Sequence, residues 1–200
     1  MIYLDHNATT PVDPAVADKM AWLLREHFGN PSSLYPIGRR VKELINEARE
    51  RVAGALGVDR GEIFFTGSGT EADNMAVFGA LEASPGRDEL VTSSIEHPAV
   101  LEAARALEGR GSKVTYLPVD GHGTVSLDAL RSALTPRTGL VSVMHANNEI
   151  GTIQPVAEIV RIAREHGVPV HTDAVQSFGK IDVDARRLGV AFLTVSAPKI

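Results

Sequence analysis

Stretches with helical spacing alternate along this chain with short β-branched runs, and a Gly, Pro or Asp/Ser cluster separates each from the next. Few folds accept that rhythm. Strands that alternate with helices join as parallel crossovers, so the chain reads as an α/β domain with a mostly parallel sheet and helices on both faces. The clearest helix covers 37–56, where Val41, Leu44, Ile45, Ala48, Val52, Ala55 and Leu56 share one face and Gly57 stops it. An earlier helix starts at Asp13-Pro14, an N-cap followed by a proline suited to the first helical position, and ends near Phe28-Gly29. Candidate strands are 62–66, 89–93, 113–117, 139–144, 168–172 and 190–195. The fourth and sixth are near-continuous apolar runs, as strands covered on both faces are. With no repeat and no Pro/Ser-rich linker, residues 13–200 read as one domain behind a short arm, 1–12.

Composition permits such a domain and excludes several chemistries. With 200 residues, 44% of them hydrophobic and 22% charged, the chain can bury roughly 70% of its unfolded surface without disulfides or a structural metal. It has no cysteine, which removes thiol catalysis, zinc fingers and Fe–S ligation from these residues. The start, Met1 to His6, has neither a basic stretch nor a long apolar one, and no window reaches the 18 or so apolar residues of a membrane span. The expectation is a cytoplasmic protein with no membrane contact. A net charge of −5, with no basic run longer than Arg39-Arg40 or Arg186-Arg187, argues against a nucleic-acid surface.

In open α/β sheets ligands sit beyond the carboxyl ends of the strands, so the residues after each run carry the chemistry. Gly67-Ser68-Gly69-Thr70-Glu71 precedes a helical pattern; its small residues suit a phosphate at a helix N-terminus, and Ser68 with Glu71 is equally an ordinary capping box. The second run delivers Glu96-His97-Pro98, where His97 is either a helix-start residue or a planar stacking group. The fourth delivers His145-Ala146-Asn147-Asn148-Glu149, whose adjacent asparagines also suit a turn. The fifth ends in His171-Thr172-Asp173-Ala174-Val175-Gln176, placing a carboxylate between apolar walls. The sixth ends in Ser196-Ala197-Pro198-Lys199, an amine that is either a surface lysine or a Schiff-base former. One cofactor needs the whole set. Pyridoxal 5'-phosphate requires an anchored phosphate, a lysine, and a carboxylate that keeps its pyridine nitrogen protonated.

Six motifs in order then carry a resemblance: Tyr3 to Pro11, Phe28 to Ser33, Gly69 to Asn74, Glu96 to Val100, His145 to Gly151, and His171 to Gln176. The chain resembles the cysteine desulfurases of the class V aminotransferase superfamily from Ile2 to Lys199. The resemblance implies the major domain of a fold-type-I pyridoxal-phosphate enzyme in a homodimer. The reaction it implies takes sulfur from L-cysteine as an enzyme persulfide, leaves alanine, and passes the sulfur to an acceptor or scaffold protein for iron–sulfur clusters or thio-cofactors. Position by position, Lys199 is similar to the Schiff-base lysine, Asp173 to the partner of the pyridine nitrogen, and His97 to the imidazole stacked on the ring. Gln176 is similar to the donor to the ring oxygen. Gly69, Thr70 and Ser196 are similar to the phosphate site, and Asn148 to the asparagine between ring oxygen and substrate carboxylate. His6, His145 and His171 are expected to be packed, hydrogen-bonded histidines.

Two departures follow from the same resemblance. The family's nucleophilic cysteine, its substrate-carboxylate arginine and its small C-terminal domain lie beyond residue 200, so 13–200 is expected to be an incomplete major domain, inactive alone in desulfuration. The family histidine before the Schiff-base lysine is Pro198 here, which offers no imidazole and no N–H. Other readings are a different class V enzyme, such as a selenocysteine lyase or aminotransferase, and a non-catalytic remnant. A metal hydrolase built on His97, His145, His171 and Asp173 has little behind it, because no HxH or HxxxH pair gives two ligands from one element.

Overall fold

The computed structural model describes residues 2–200, and its backbone groups into two compact units, one reaching through Phe65 and one from Thr66 to Ile200. The second unit is built on five strands, β1 (Glu89–Ser93), β2 (Val114–Leu117), β3 (Thr138–Ser142), β4 (Val170–Asp173) and β5 (Phe192–Thr194). They lie in the order β2-β1-β3-β4-β5, and every pair is parallel. β1 and β3 are buried along their whole length, which is why their sequences do not alternate.

Successive side chains still face opposite layers. Leu90 and Leu140 pack against Val77, Ala80 and Leu81 of α3 (Gly69–Glu82) and against Ala103, Ala104 and Leu107 of α4 (Pro98–Gly109). Their neighbours Val91 and Val141 join the opposite core with Leu130 of α5 (Leu127–Ala133) and Ile159, Ile162 and Ala163 of α6 (Val156–Glu165). Each fully buried Leu, Ile or Val here stabilises the fold by about 1.5–3 kcal/mol, so the layering is set by these two clusters. A short α7 (Ala185–Leu188) follows and ends at Gly189, whose φ of 75° takes the left-handed turn into β5. Because β1 has β2 on one side and β3 on the other, the strand order reverses at β1 and β3, and a crevice opens beyond their carboxyl ends.

In the first unit, α1 (Pro14–Glu26) starts as the sequence predicts: the Asp13 carboxylate accepts from the Ala15 amide at 2.8 Å, and Pro14 fills the first turn. Helix α2 (Pro36–Leu56) stops at Gly57, with φ 70°. The run 62–66 is not a strand. A 3-10 turn (Arg60–Glu62) leads into irregular backbone, and Phe64 is 70% exposed. The run has the composition of a strand, yet a strand exists only through a neighbour's hydrogen bonds, and no described strand pairs with it. No described helix is long and apolar enough to cross a membrane.

Candidate active site

All eight residues singled out as cofactor-binding lie in the second unit, at or just beyond the strands' carboxyl ends or on the first turn of α3. That first turn is set by local hydrogen bonds. The Ser68 hydroxyl accepts from the Glu71 amide at 3.1 Å, and the Glu71 carboxylate accepts from Gly67 N–H at 2.6 Å. Glu71 therefore reaches one residue further back than a standard capping box does, and it takes one of the loop's donors. The amides of Gly69 and Thr70 have no acceptor among the described residues, as the first turn of a helix leaves them. A Cβ on Gly69 would stand 3.4 Å from Val175 Cγ2 and 3.6 Å from Ser196 Cβ. The start of α3, the loop after β4 and the segment after β5 thus meet at Gly69, Val175 and Ser196.

Asp173 closes β4, buried, with Oδ1 accepting from the Val175 amide at 2.9 Å. Burial raises its pKa; the Val175 N–H and the facing His97 oppose that rise. His97 is exposed and caps α4, its Nδ1 accepting from the Ala99 amide at 3.1 Å. The helix-start reading of His97 is what the geometry shows, with the cap made through Nδ1. Gln176 accepts from Lys180 Nζ at 2.9 Å through Oε1.

The two asparagines divide their work. Asn147 shapes the turn, with Oδ1 accepting from the Glu149 and Ile150 amides at 2.8 and 3.0 Å and Nδ2 donating to the Ile95 carbonyl at 2.9 Å. Asn148 is half-buried beside it. Buried Gln154 steadies the adjoining loops, accepting from Val125 N–H and donating to the Gly123 carbonyl. Pro198 and Lys199 belong to a 3-10 turn, Ala197–Lys199, in which the Lys199 amide donates to the Ser196 carbonyl at 3.1 Å. Pro198 stands where a helical turn's N–H is an orphan in any case.

Two of the three histidines expected to be packed are so. His145 Nδ1 meets Ser177 Oγ at 2.8 Å, and burial lowers its pKa. His171 is wholly buried between Ser142 Oγ at 2.9 Å and Thr194 Oγ1 at 3.1 Å, and burial lowers its pKa to about 4. His6 is instead exposed, edge-on to Tyr3 at 5.3 Å. No cluster of three or more His, Asp or Glu side chains placed to hold a metal ion occurs among the described residues.

Two buried acids toward the carboxyl ends of the strands are not among the candidate site residues. Asp73, 2% exposed, sits on the face of α3 that carries Ala76, Val77, Ala80 and Leu81, and Glu96 is buried between β1 and α4. The spacing of Asp73 from those apolar residues is the signal that marks it, since it falls on the core face of its helix.

The sequence pattern of the family described as aminotransferase class V matches residues 2–200. The chain is 50% identical over 196 residues to cysteine desulfurase IscS of Methanosarcina thermophila, covering 98% of this chain and 48% of that protein. A solved NifS-like protein superimposes with a TM-score of 0.96 at 42% identity, over 99% of this chain and 55% of that one. A structure described as SspA in complex with cysteine matches with a TM-score of 0.96 at 38% identity, over 100% of this chain and 58% of that one. The chain spans about half the length of the curated relatives it matches.

Proposed function

The chain belongs to the class V aminotransferase family, and on that premise we propose that residues 66–200 are the cofactor-holding part of a pyridoxal-phosphate-dependent cysteine desulfurase. The observation that carries this is the convergence of Gly69, Ser196 and the end of β4, next to Asp173, because it supplies anion donors and a buried carboxylate in one crevice. The residues fit the cofactor chemically. Gly69, Thr70 and Ser196 would hold the phosphate, His97 would stack on the ring, Asp173 would balance a protonated pyridine nitrogen, and Gln176 and Asn148 would serve the ring oxygen. Bound there, pyridoxal phosphate supplies an electron sink for the substrate's α-carbon.

The chain's own contributions are electrostatic and positional. Asp173 offers a carboxyl in a buried position, where a cation placed against its ionised form gains more than it does in bulk solvent. Lys199 would supply the amine from a turn that its own amide ties to Ser196. Asn148 stands on a loop that Asn147 and Gln154 hold in place, so an amide meets the substrate carboxylate with little reorganisation. With no cysteine among these 200 residues, the thiol that takes the sulfur comes from outside them. The similar structure described as a complex with cysteine supports L-cysteine as the substrate. A homodimer and a sulfur-accepting protein partner are proposed on the family resemblance, a cytoplasmic location on the lack of any long apolar window, and 13–200 as one major domain on the lack of a repeat or Pro/Ser-rich linker.

Pyridoxal phosphate added to the purified chain and fixed with borohydride is expected to leave its pyridoxyl group on Lys199 by peptide mapping. Label on Lys180, the other lysine beside the crevice, removes Lys199 from the role.

A further inference from the structure

Three acids meet beneath the crevice with nothing buried to neutralise them. Asp73 from α3, Glu96 from the β1–α4 connection and Asp173 from β4 are each almost fully buried, and no lysine or arginine is buried among the described residues. They are near enough for Asp173 to oppose ionisation of both Asp73 and Glu96, and for Asp73 to oppose that of Glu96. The basic group against Asp73 is His171, with Nε2 3.5 Å from Oδ1, and its complete burial keeps it neutral at ordinary pH. Asp73 Oδ1 has no hydrogen-bond partner.

The three differ in what favours their charged forms. Asp173 receives the Val175 amide and faces His97 at the edge of solvent. Glu96 is bonded by the Met144 amide, at 3.0 Å to each oxygen, and lies 2.5 Å from Ser93 Oγ, yet it is wholly enclosed. Asp73 has only the Thr194 hydroxyl in its favour.

We propose that this cluster is built to hold one negative charge, on Asp173, and that Asp73 and Glu96 are positioning residues kept there as neutral acids. Both have pKa values raised to about 8, chiefly by burial. A second or third charge would face Asp173 across a medium of low dielectric with no counterion, so protonation of the two deeper acids leaves the one at the crevice ionised. The inference rests on the proposed function for its meaning, since a single buried anion suits a single cationic ring nitrogen.

The sign of the pH dependence follows. A carboxyl that is neutral in the folded chain up to about pH 8 but ionises near 4 when unfolded stabilises the fold fully below pH 4, and that contribution is lost as pH rises to 8. Each such acid raises the unfolding constant by up to about tenfold per pH unit in that window. His171, lowered from 6.5 to about 4, works the other way: its contribution is present above 6.5 and is lost as pH falls to 4. His145, lowered by burial and bonded to Ser177 across the same loops, adds in the direction of His171.

The experiment is carboxyl-carbon NMR on the ligand-free chain, with urea unfolding followed from pH 4.5 to 8 for the parent, Asp73→Asn and Glu96→Gln. The expected result is that Asp73 and Glu96 stay protonated at pH 6 while Asp173 is ionised. Asp173 should titrate unchanged in Asp73→Asn, and each amide variant should lose one acid's share of the pH slope. An ionised Asp73 at pH 6, or an Asp173 that ionises only once Asp73 is an amide, overturns the proposal. If a variant does not fold, the parent spectra decide alone. Because no cofactor is added, this result stands apart from the Lys199 mapping, and either can fail without the other.

Discussion

The two ends of the sheet treat a buried acid in opposite ways. Where the strands begin, Glu89 accepts from the Thr135 hydroxyl at 2.7 Å and has Lys113 Nζ at 3.7 Å and Arg137 Nε at 4.0 Å. Arg137 also forks onto Asp88 of the same corner at 2.6–2.7 Å. Where the strands finish, Asp73, Glu96 and Asp173 share a pocket with a neutral histidine. A buried charge that is matched serves the fold, and one that is left unmatched keeps its field for something that arrives from outside. The first end reads as structure and the second as function.

If that division is right, substitutions at the two ends should separate binding from stability. The largest effect is expected from Asp173→Asn, which removes the one charge assigned to the crevice. A hydrogen bond to a charged group contributes about 1.5–3 kcal/mol, so pyridoxal phosphate affinity should fall roughly 10- to 100-fold. Unfolding by urea at pH 7 should move little or toward greater stability, because a charge that burial disfavours is removed. A variant that binds normally but unfolds easily would make Asp173 a structural residue like Glu89.

Glu89→Ala is the mirror image. It strips the Thr135 hydroxyl of its acceptor in a partly buried position and takes the Glu89 carboxylate away from Lys113 and Arg137. The loss should be about 1–3 kcal/mol in urea unfolding, with cofactor affinity within twofold of the parent. A binding defect of the same size as that of Asp173→Asn would mean that the two ends are not separable.

The layers were legible from the sequence, and part of the site was not, for one physical reason. Apolar spacing reports what a segment buries, so β1 to β5 and the first two helices follow from it directly. Pairing is not local, and 62–66 shows the consequence: the right residues for a strand without a described neighbour to make it one. The strand-end rule picks out Asp173, Ser196 and Asn148 as candidates because position after a strand is a local property. Asp73 escaped it because it enters the pocket from a helix. The reach of Glu71 past Ser68 to Gly67 likewise depends on loop geometry that a capping-box spacing does not encode.

The smallest expected effect is at Pro198, at the crevice's exposed rim. The 3-10 turn that holds it asks for no N–H at that position, and its fixed φ suits the first turn of a helix, so the proline is compatible with the backbone it occupies. Replacing it with histidine returns an imidazole donor beside the proposed phosphate site. At an exposed position one added hydrogen bond contributes about 0.5–1.5 kcal/mol, which corresponds to roughly two- to tenfold tighter pyridoxal phosphate binding. Against this, losing a proline whose geometry is already met costs about 0.4–1 kcal/mol of stability through the wider unfolded ensemble. Pro198→His should therefore bind more tightly yet unfold at slightly lower urea. Titration of both forms with pyridoxal phosphate checks this; equal affinity would mean that Gly69, Thr70 and Ser196 already satisfy the phosphate without help from the residue before Lys199.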